Sequence, residues 1–248
     1  MTPARTTPPA KGSLLLVPTT LGDVPPEEAL PLAALARVRS LRYIIAENPK
    51  TARQFLKRAG MLTPIQDIRI ERLDEHTPEA SLPALLEPLM QGQEGGLLSD
   101  AGCPVVADPG APLIRLAHRA GIRVIPLIGP SSIVLGLMAS GLGGQRFAFH
   151  GYLPVAAADR ARSIRELEQR SRRDDATQIF METPYRNEQL VDALLENCAP
   201  ATLLCIAADL TQPGEQVSTR SVAEWKKTRP AINRRPAVFL LSASRRER

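Results

Sequence analysis

The residues with the most chemical potential lie in one stretch, Leu97-Leu98-Ser99-Asp100-Ala101-Gly102-Cys103-Pro104-Val105-Val106-Ala107-Asp108-Pro109-Gly110. An apolar run ends in Ser-Asp, small residues follow, and a second Asp-Pro-Gly opens a helical pattern. That order predicts a carboxylate and free backbone groups at the carboxyl end of a strand, where open α/β sheets bind small ligands. The loop carries too little bulk to fill a core, so its backbone can approach a ligand closely. Glu47 in Ala46-Glu47-Asn48-Pro49, Pro18 in Val17-Pro18-Thr19, and Ser131 and Ser132 in Gly129-Pro130-Ser131-Ser132 follow other apolar runs in the same way. Met181 and Glu182 close a further run ahead of Thr183-Pro184-Tyr185-Arg186.

The elements that must position these residues alternate. Strands are predicted over 14–17, 43–46, 65–70, 96–99 and 122–126, with helices over 27–39, 51–59, 82–90, 112–120 and 133–140. Alternation of this kind implies a parallel sheet covered on both faces. Gly141-Leu142-Gly143-Gly144 is the best hinge, and beyond it the pattern restarts. Strands over 146–150, 177–181, 202–207 and 237–241 alternate with helices over 157–173, 187–197 and 222–227. The reading is a lead over 1–12 whose first residues have a disordered composition, an N-terminal α/β domain over 13–144 and a C-terminal α/β domain over 145–248. No internal repeat of fixed period is present.

Composition narrows the class. The 248 residues are 44% hydrophobic and 23% charged, enough for a real core in a water-soluble chain. A formal charge of +5 tolerates a polyanionic partner without demanding one. Three cysteines, Cys103, Cys198 and Cys205, form no CxxC pair, which argues against a disulfide framework or a bound metal and fits a reducing compartment. No apolar run spans a bilayer, and Met1–Lys11 lacks the apolar centre of a signal peptide, so a cytoplasmic location with no membrane partner is expected.

The first strand-to-helix turn, Pro18-Thr19-Thr20-Leu21-Gly22-Asp23, has neither GxGxxG nor GxxxxGK[ST]. Those loops cradle phosphate on backbone N–H groups, and their absence argues against NAD, FAD and ATP. A ligand without phosphate fits better, and S-adenosylmethionine is one: a sulfonium, an amino acid head, a ribose and an adenine.

Six blocks carry a resemblance over nearly the whole chain. They are the Pro18 turn, Ala46-Glu47, Ser99-Asp100-Ala101-Gly102 with Asp108-Pro109-Gly110, Gly129-Pro130-Ser131-Ser132, Phe149-His150-Gly151-Tyr152-Leu153-Pro154 and Glu182-Thr183-Pro184-Tyr185-Arg186. In their order and spacing the chain resembles the tetrapyrrole-methylase-like S-adenosylmethionine-dependent methyltransferases. The nearest branch is the one that methylates a ribose 2′-hydroxyl of small-subunit ribosomal RNA. The resemblance implies two α/β domains of the tetrapyrrole methylase type, a cofactor cleft between them, and a homodimer. It implies that Pro18 flanks the cofactor, that Ser99, Asp100, Ala101, Gly102 and Val105 hold its methionine and ribose portions, and that Ser131 and Ser132 cap the pocket. Met181, Glu182, Ala208, Pro236 and Ala237 would close over the adenine.

The chain departs from that branch at several positions. Glu47-Asn48-Pro49-Lys50 stands for Glu-Asp-Thr-Arg, Thr183-Pro184-Tyr185-Arg186 for Ser-Pro-His-Arg, and Ala207-Ala208-Asp209-Leu210-Thr211-Gln212 for Ala-Arg-Glu-Leu-Thr-Lys. Two basic residues are thereby lost, and phosphate contacts supply much of RNA affinity. The branch's further C-terminal region does not follow Leu241, so a short form is expected.

Methyl transfer from a sulfonium is an in-line displacement that needs alignment and exclusion of water. A ribose hydroxyl is a poor nucleophile, so a general base helps; Glu47 and His76 are the candidates. Glu47 also suits a helix start, and a loop histidine such as His76 also suits solvent. Tyr185 and Arg186 offer an aromatic face and a cation to a nucleobase or anion. His118, His150 and Cys103 read as structural. The arginines of 160–173 read equally as an RNA track or a solvated face paired with Glu166 and Glu168. The function read is methyl transfer to a ribose 2′-hydroxyl of ribosomal RNA. The alternatives are a tetrapyrrole or other small-molecule substrate, or a catalytically silent S-adenosylmethionine-binding protein.

Overall fold

The computed structural model describes residues 10–243. Met1 to Pro9 of the expected disordered lead lie outside the described residues. The chain divides into two compact units, Met1–Pro130 and Ser131–Arg248. The division precedes the glycine hinge expected at 141–144, for a reason given by the helix that follows it.

The first unit begins with β1 (Ser13–Val17), then α1 (Pro26–Ala29) and α2 (Leu32–Arg39). The single helix expected over 27–39 is two, because Leu30 and Pro31 are extended and Pro31 lacks the N–H that would carry the ladder through. β2 (Tyr43–Ala46) and α3 (Pro49–Ala59) follow, the helix capped by the Asn48 side chain and ended by Gly60 in the left-handed region. The strand expected over 65–70 starts late. A 3-10 turn fills Ile65–Asp67 and β3 runs Arg69–Arg72, because pairing sets Tyr43 beside Arg69. Next come α4 (Leu82–Met90), β4 (Gly95–Leu98), α5 (Ala111–Arg119) and β5 (Arg123–Pro126).

The five strands are all parallel, in the order β3-β2-β4-β1-β5. Leu35, Val38, Phe55 and Leu56 of α2 and α3 pack on Leu15, Ile44 and Leu98 from one face. Leu86, Leu89 and Leu113 of α4 and α5 pack on Leu14, Ile45 and Leu97 from the other. Chain connections from β1 and β2 therefore run toward the β3 edge on one face, and those from β3 and β4 run back toward β5 on the other. β4 lies between β2 and β1, and its loop leaves in the opposite direction from both. Divergence of neighbouring loops opens a crevice at the carboxyl ends of the strands.

The second unit opens with α6 (Ser132–Ser140), whose Ile133 and Gly136 face Ile179, Ala207, Val238 and Leu240 of its own sheet. That packing assigns the helix to this unit and moves the division ahead of it. β6 (Phe147–Tyr152), α7 (Ala157–Asp174), β7 (Thr177–Glu182), α8 (Asn187–Asn197) and β8 (Leu203–Ala208) follow, then β9 (Gln216–Ser221), α9 (Val222–Lys227) and β10 (Ala237–Ser242). The order is β6-β7-β10-β8-β9. Only β6 and β7 pair in parallel; β10 runs against β7 and β8, and β9 against β8. The second sheet is thus mixed rather than wholly parallel. β9, Gln-Val-Ser-Thr-Arg-Ser, is too polar for periodicity to signal it, and forms because a turn through Pro213 and Gly214 folds it back on β8.

Asn187 fixes the approach to β10. It is fully buried, and its amide donates to the carbonyls of Ile232 and Arg235 at 3.3 and 2.7 Å. Asn187→Ala removes both bonds and costs about 2 kcal/mol of unfolding free energy. Urea titration reads this, and a change under about 0.5 kcal/mol would remove Asn187 as the anchor.

Candidate active site

At the crevice, β1 and β4 are tied together past their ends. The Thr19 N–H donates to the Gly102 carbonyl at 2.9 Å, its hydroxyl donates to the Ser99 carbonyl at 3.3 Å, and the buried Ser99 hydroxyl donates to the Gly102 carbonyl at 2.6 Å. Gly102 has φ +73, and a Cβ there would come within 3.0 Å of Leu21. Pro18 packs on the loop after β5, where a Cβ at Gly129 would fall 2.3 Å from the Pro18 Cβ. The Cys103 thiol donates to the Pro130 carbonyl at 3.3 Å, and burial pushes its pKa up, which fits the filler role.

The loop backbone is strained beyond Gly102. Val105 and Ala107 have φ 72 and 66, the left-handed region that side chains disfavour, and a β-branched residue most of all. Each such residue costs about 1–3 kcal/mol and persists where its surroundings fix it.

Three carboxylates converge on this loop. Asp100 is exposed and accepts a hydrogen bond from the Thr51 hydroxyl at 2.6 Å, which joins β4's loop to α3. Asp108 is partly buried, and its Oδ2 is shielded from solvent with no hydrogen-bond partner. Burial, followed by the charges of Glu47 and Asp100, pushes its pKa up to about 7. Glu47, at the end of β2, is raised by burial and then by Asp100, Glu75 and Asp74. No group of three or more metal-ligating side chains able to hold a metal occurs among the described residues. Asp108 was quoted in the sequence only as part of a motif. Its burial beside Glu47 has no signal in the order of residues, because it comes from strand order.

His76 sits in the loop after β3 with its side chain 80% exposed, 3.5 Å from Glu75. Ala101 is exposed and Val105 partly buried. Ser131 caps α6 by accepting from the Val134 N–H at 3.5 Å, and Ser132 is that helix's first residue.

In the second unit, antiparallel register sets Glu182 beside Ala237 and Ala237 beside Ala208, a row across three strand ends. Met181 and Pro236 adjoin that row. Glu182 is buried; its Oε1 accepts from the Thr183 N–H at 2.7 Å and from Arg186 Nη2 at 2.5 Å, while Oε2 is buried without a partner. Arg186 is therefore spent on Glu182, and Tyr185, 71% exposed, is the freer of the two expected substrate contacts. His150 bonds Gln178 at 2.8 Å, consistent with a structural role. Of the helix α7 arginines, Arg162 pairs with Asp159 and Arg165 bonds Asn197.

The family described as Tetrapyrrole (Corrin/Porphyrin) Methylases matches residues 14–225. The chain belongs to the tetrapyrrole methylases. Ribosomal RNA small subunit methyltransferase I of Escherichia coli O157:H7 is 30% identical over 88% of this chain and 73% of its own length. The protein of that name from Mesorhizobium japonicum is 34% identical over 88% of this chain and 69% of its own. Among solved structures, the methyltransferase CobJ matches the fold with a TM-score of 0.62 at 17% identity, covering 93% of this chain and 94% of its own. The resemblance read from the six blocks and the two-sheet α/β class are borne out. This tetrapyrrole methylase is accordingly a methyltransferase, and its strained, carboxylate-lined loop after β4 lies at the carboxyl ends of the parallel strands.

The raised Asp108 pKa has a sign that can be measured. The fold favours the protonated carboxyl, so ionising it removes stability as pH rises from about 4 toward about 7, and the loss is complete above that. Asp108→Asn lacks this dependence. Its urea midpoint exceeds that of the wild type at pH 8, and the advantage shrinks toward pH 5. An equal difference at both pH values would show that Asp108 ionises normally in the fold.

Proposed function

We propose that this methylase transfers a methyl group from S-adenosylmethionine to a ribose 2′-hydroxyl of small-subunit ribosomal RNA. The observation that carries the cofactor is the unpartnered Asp108 oxygen amid Glu47 and Asp100. A partly buried carboxylate crowded by two others either takes up a proton or is stabilised by a cation, and the donor brings a sulfonium and an ammonium. The residues present fit it. Gly102 and Gly129 let Leu21 and Pro18 pack closely against these loops, and the backbone at Val105 and Ala107 is held in an unusual conformation. The donor supplies a methyl group on a positively charged sulfur.

Ser99, Asp100, Ala101, Gly102 and Val105 are proposed to hold its methionine and ribose, with Pro18, Ser131 and Ser132 beside them. The row Met181, Glu182, Ala208, Pro236 and Ala237 is proposed for the adenine, on the family resemblance. Asp100 fixes Thr51 and so orients α3, whose N-terminus carries Glu47's neighbours. Glu47 accepts the proton of the ribose hydroxyl; burial and its acidic neighbours raise its pKa and so make it a stronger base than an ordinary carboxylate. His76 is the second candidate, and its exposure favours Glu47 over it. The names and identities of the curated relatives support the RNA substrate. The same resemblance supports a homodimer in the cytoplasm.

Calorimetry with S-adenosylmethionine and S-adenosylhomocysteine is the first test, and micromolar affinity is expected. Tritiated methyl transfer is then measured on purified small ribosomal subunits and on their naked RNA. Label in a nucleotide whose 3′ phosphodiester resists alkali supports a ribose methyl. Label only in a tetrapyrrole overturns the substrate, and no binding of either donor form overturns the cofactor. Glu47→Gln lowers turnover on the order of 10²-fold with donor affinity within about twofold; wild-type turnover excludes Glu47 as the base. Asp100→Ala weakens donor binding while the protein stays folded, and unchanged affinity removes that assignment.

A further inference from the structure

The second unit carries a cleft of about 490 Å³ whose lining, apart from Ala208 and Ile232, the residues discussed so far do not use. It exists because β9 is an edge strand. Register sets Arg220 beside Leu204, Ser218 beside Ile206 and Gln216 beside Ala208. Those β8 residues belong to the core face that also packs Trp225 and Ile232. Alternation along the strand therefore turns Gln216, Ser218 and Arg220 to that same face, and Thr219 to the other, where its hydroxyl donates to the Ser140 carbonyl. The segment Arg229-Pro230-Ala231-Ile232 forms the facing wall. The result is a groove with an apolar floor at Ile206, a polar strand along one side, and cations at its rim.

Arg220 decides what the groove suits. Its guanidinium carbon lies over the Trp225 ring, 4.9 Å from the centroid; Glu224 is close enough to feel its charge, but among the described residues no carboxylate or carbonyl hydrogen-bonds it. Trp225 is itself fixed: it is buried, and its indole N–H donates to the Leu204 carbonyl at 2.8 Å. The guanidinium is thus held on one side by an immobile ring, with its other side on the cleft and its N–H donors free. Arg235 differs, being consumed by Asp209 at 2.6 Å, Gln216 and the Gly214 carbonyl. Of the other charged residues that line the cleft, Arg229 is exposed and paired with Asp192, and Glu215 is an exposed carboxylate at the start of the strand side. The cleft volume falls within the range of small-ligand pockets.

We infer that this cleft binds one nucleotide of single-stranded RNA, with the base stacked on the Arg220 plane and an adjoining phosphate on the Arg220 N–H donors and Arg229. Stacking of splayed bases on a guanidinium plane is a recurrent mode in RNA recognition, and a cation track beside it follows the backbone. The inference rests on the RNA reading above and assigns that substrate a second point of attachment, on the unit that does not carry Glu47 and Asp108.

The test uses the full chain and a fluorescently labelled oligouridylate of twelve nucleotides, followed by anisotropy across a salt series. S-adenosylhomocysteine affinity, measured beside it, reports on the donor site. Arg220→Gln is expected to weaken RNA binding about tenfold and to flatten the slope of log K against log salt by about 0.7, one phosphate on a single strand. Arg220→Lys keeps the charge but not the plane, so it retains the slope and still loses affinity. Ser218→Asp places a negative charge on the strand side and weakens binding without touching Trp225, which guards against a folding effect at Arg220. Wild-type RNA affinity in Arg220→Gln and Ser218→Asp overturns the cleft and leaves the RNA reading standing. Equal loss of affinity in Arg220→Gln and Arg220→Lys with no change in slope overturns the stacked-base assignment. A wild-type chain that binds S-adenosylhomocysteine but no oligouridylate overturns the cleft while the donor assignment stands.

Discussion

The carboxyl edge of the first unit's sheet depends on one constraint, the clamp between Thr19 and the Ser99–Gly102 turn. Three hydrogen bonds converge on two carbonyls there. They hold the chain leaving β4 against the chain leaving β1, although the two strands' connections run toward opposite edges of the sheet. Without that tie, nothing in regular structure would keep Val105 and Ala107 at positive φ. Strain of this kind is stable only when its surroundings are over-determined. The buried Asp108 is a consequence: a loop forced through this path brings its second carboxylate back beneath Glu47 and Asp100.

Charge is sorted between the units by sheet topology. An all-parallel sheet presents every strand's carboxyl end at one edge, so Glu47, Asp74 and Asp100, each near the end of a strand, gather there. The mixed second sheet has no such edge. Its strand ends alternate in direction, and what it offers instead is an outer strand, β9, with one unpaired side. Natural edge strands carry charge to discourage pairing with another chain. Arg220 meets that need while resting on Trp225. Gathered carboxylates and an arginine stacked on an aromatic ring thus arise from two sheet types rather than from two independent accidents.

Much of this was legible from the order of residues. Asn187–Asn197, Val222–Lys227 and Tyr43–Ala46 are bounded as expected, because caps, prolines and apolar runs coincide at their ends. The place of the loop after β4, at the carboxyl end of a strand, was legible from the apolar run that ends in Ser99-Asp100 and the small residues that follow. The failures have physical causes. Pro31 divides a helix whose apolar spacing runs straight through it. The 65–70 alternation is real, but register with β2 decides where pairing starts. α6 reads as the end of the first unit because it precedes the glycines; only its contact with Val238 and Leu240 reveals which sheet it covers. β9 has almost no apolar residues, and its existence depends on β8 being beside it.

The site residues divide along the same line. Residue type and place at a strand end point to Glu47, Asp100 and Glu182, since those are local facts. Their partners are not local. Thr51 lies 49 residues from Asp100 in sequence, and Arg186 takes Glu182 for itself instead of standing free for substrate. A carboxylate's chemistry is set by what surrounds it. Asp100 ends bonded to a hydroxyl, Glu182 to a guanidinium, and Asp108 with an oxygen bonded to nothing. Three acids of one kind in the sequence therefore become three different groups in the fold: Asp100 exposed and bonded, Glu182 with one oxygen bonded and the other buried alone, and Asp108 with a shielded oxygen that no donor meets.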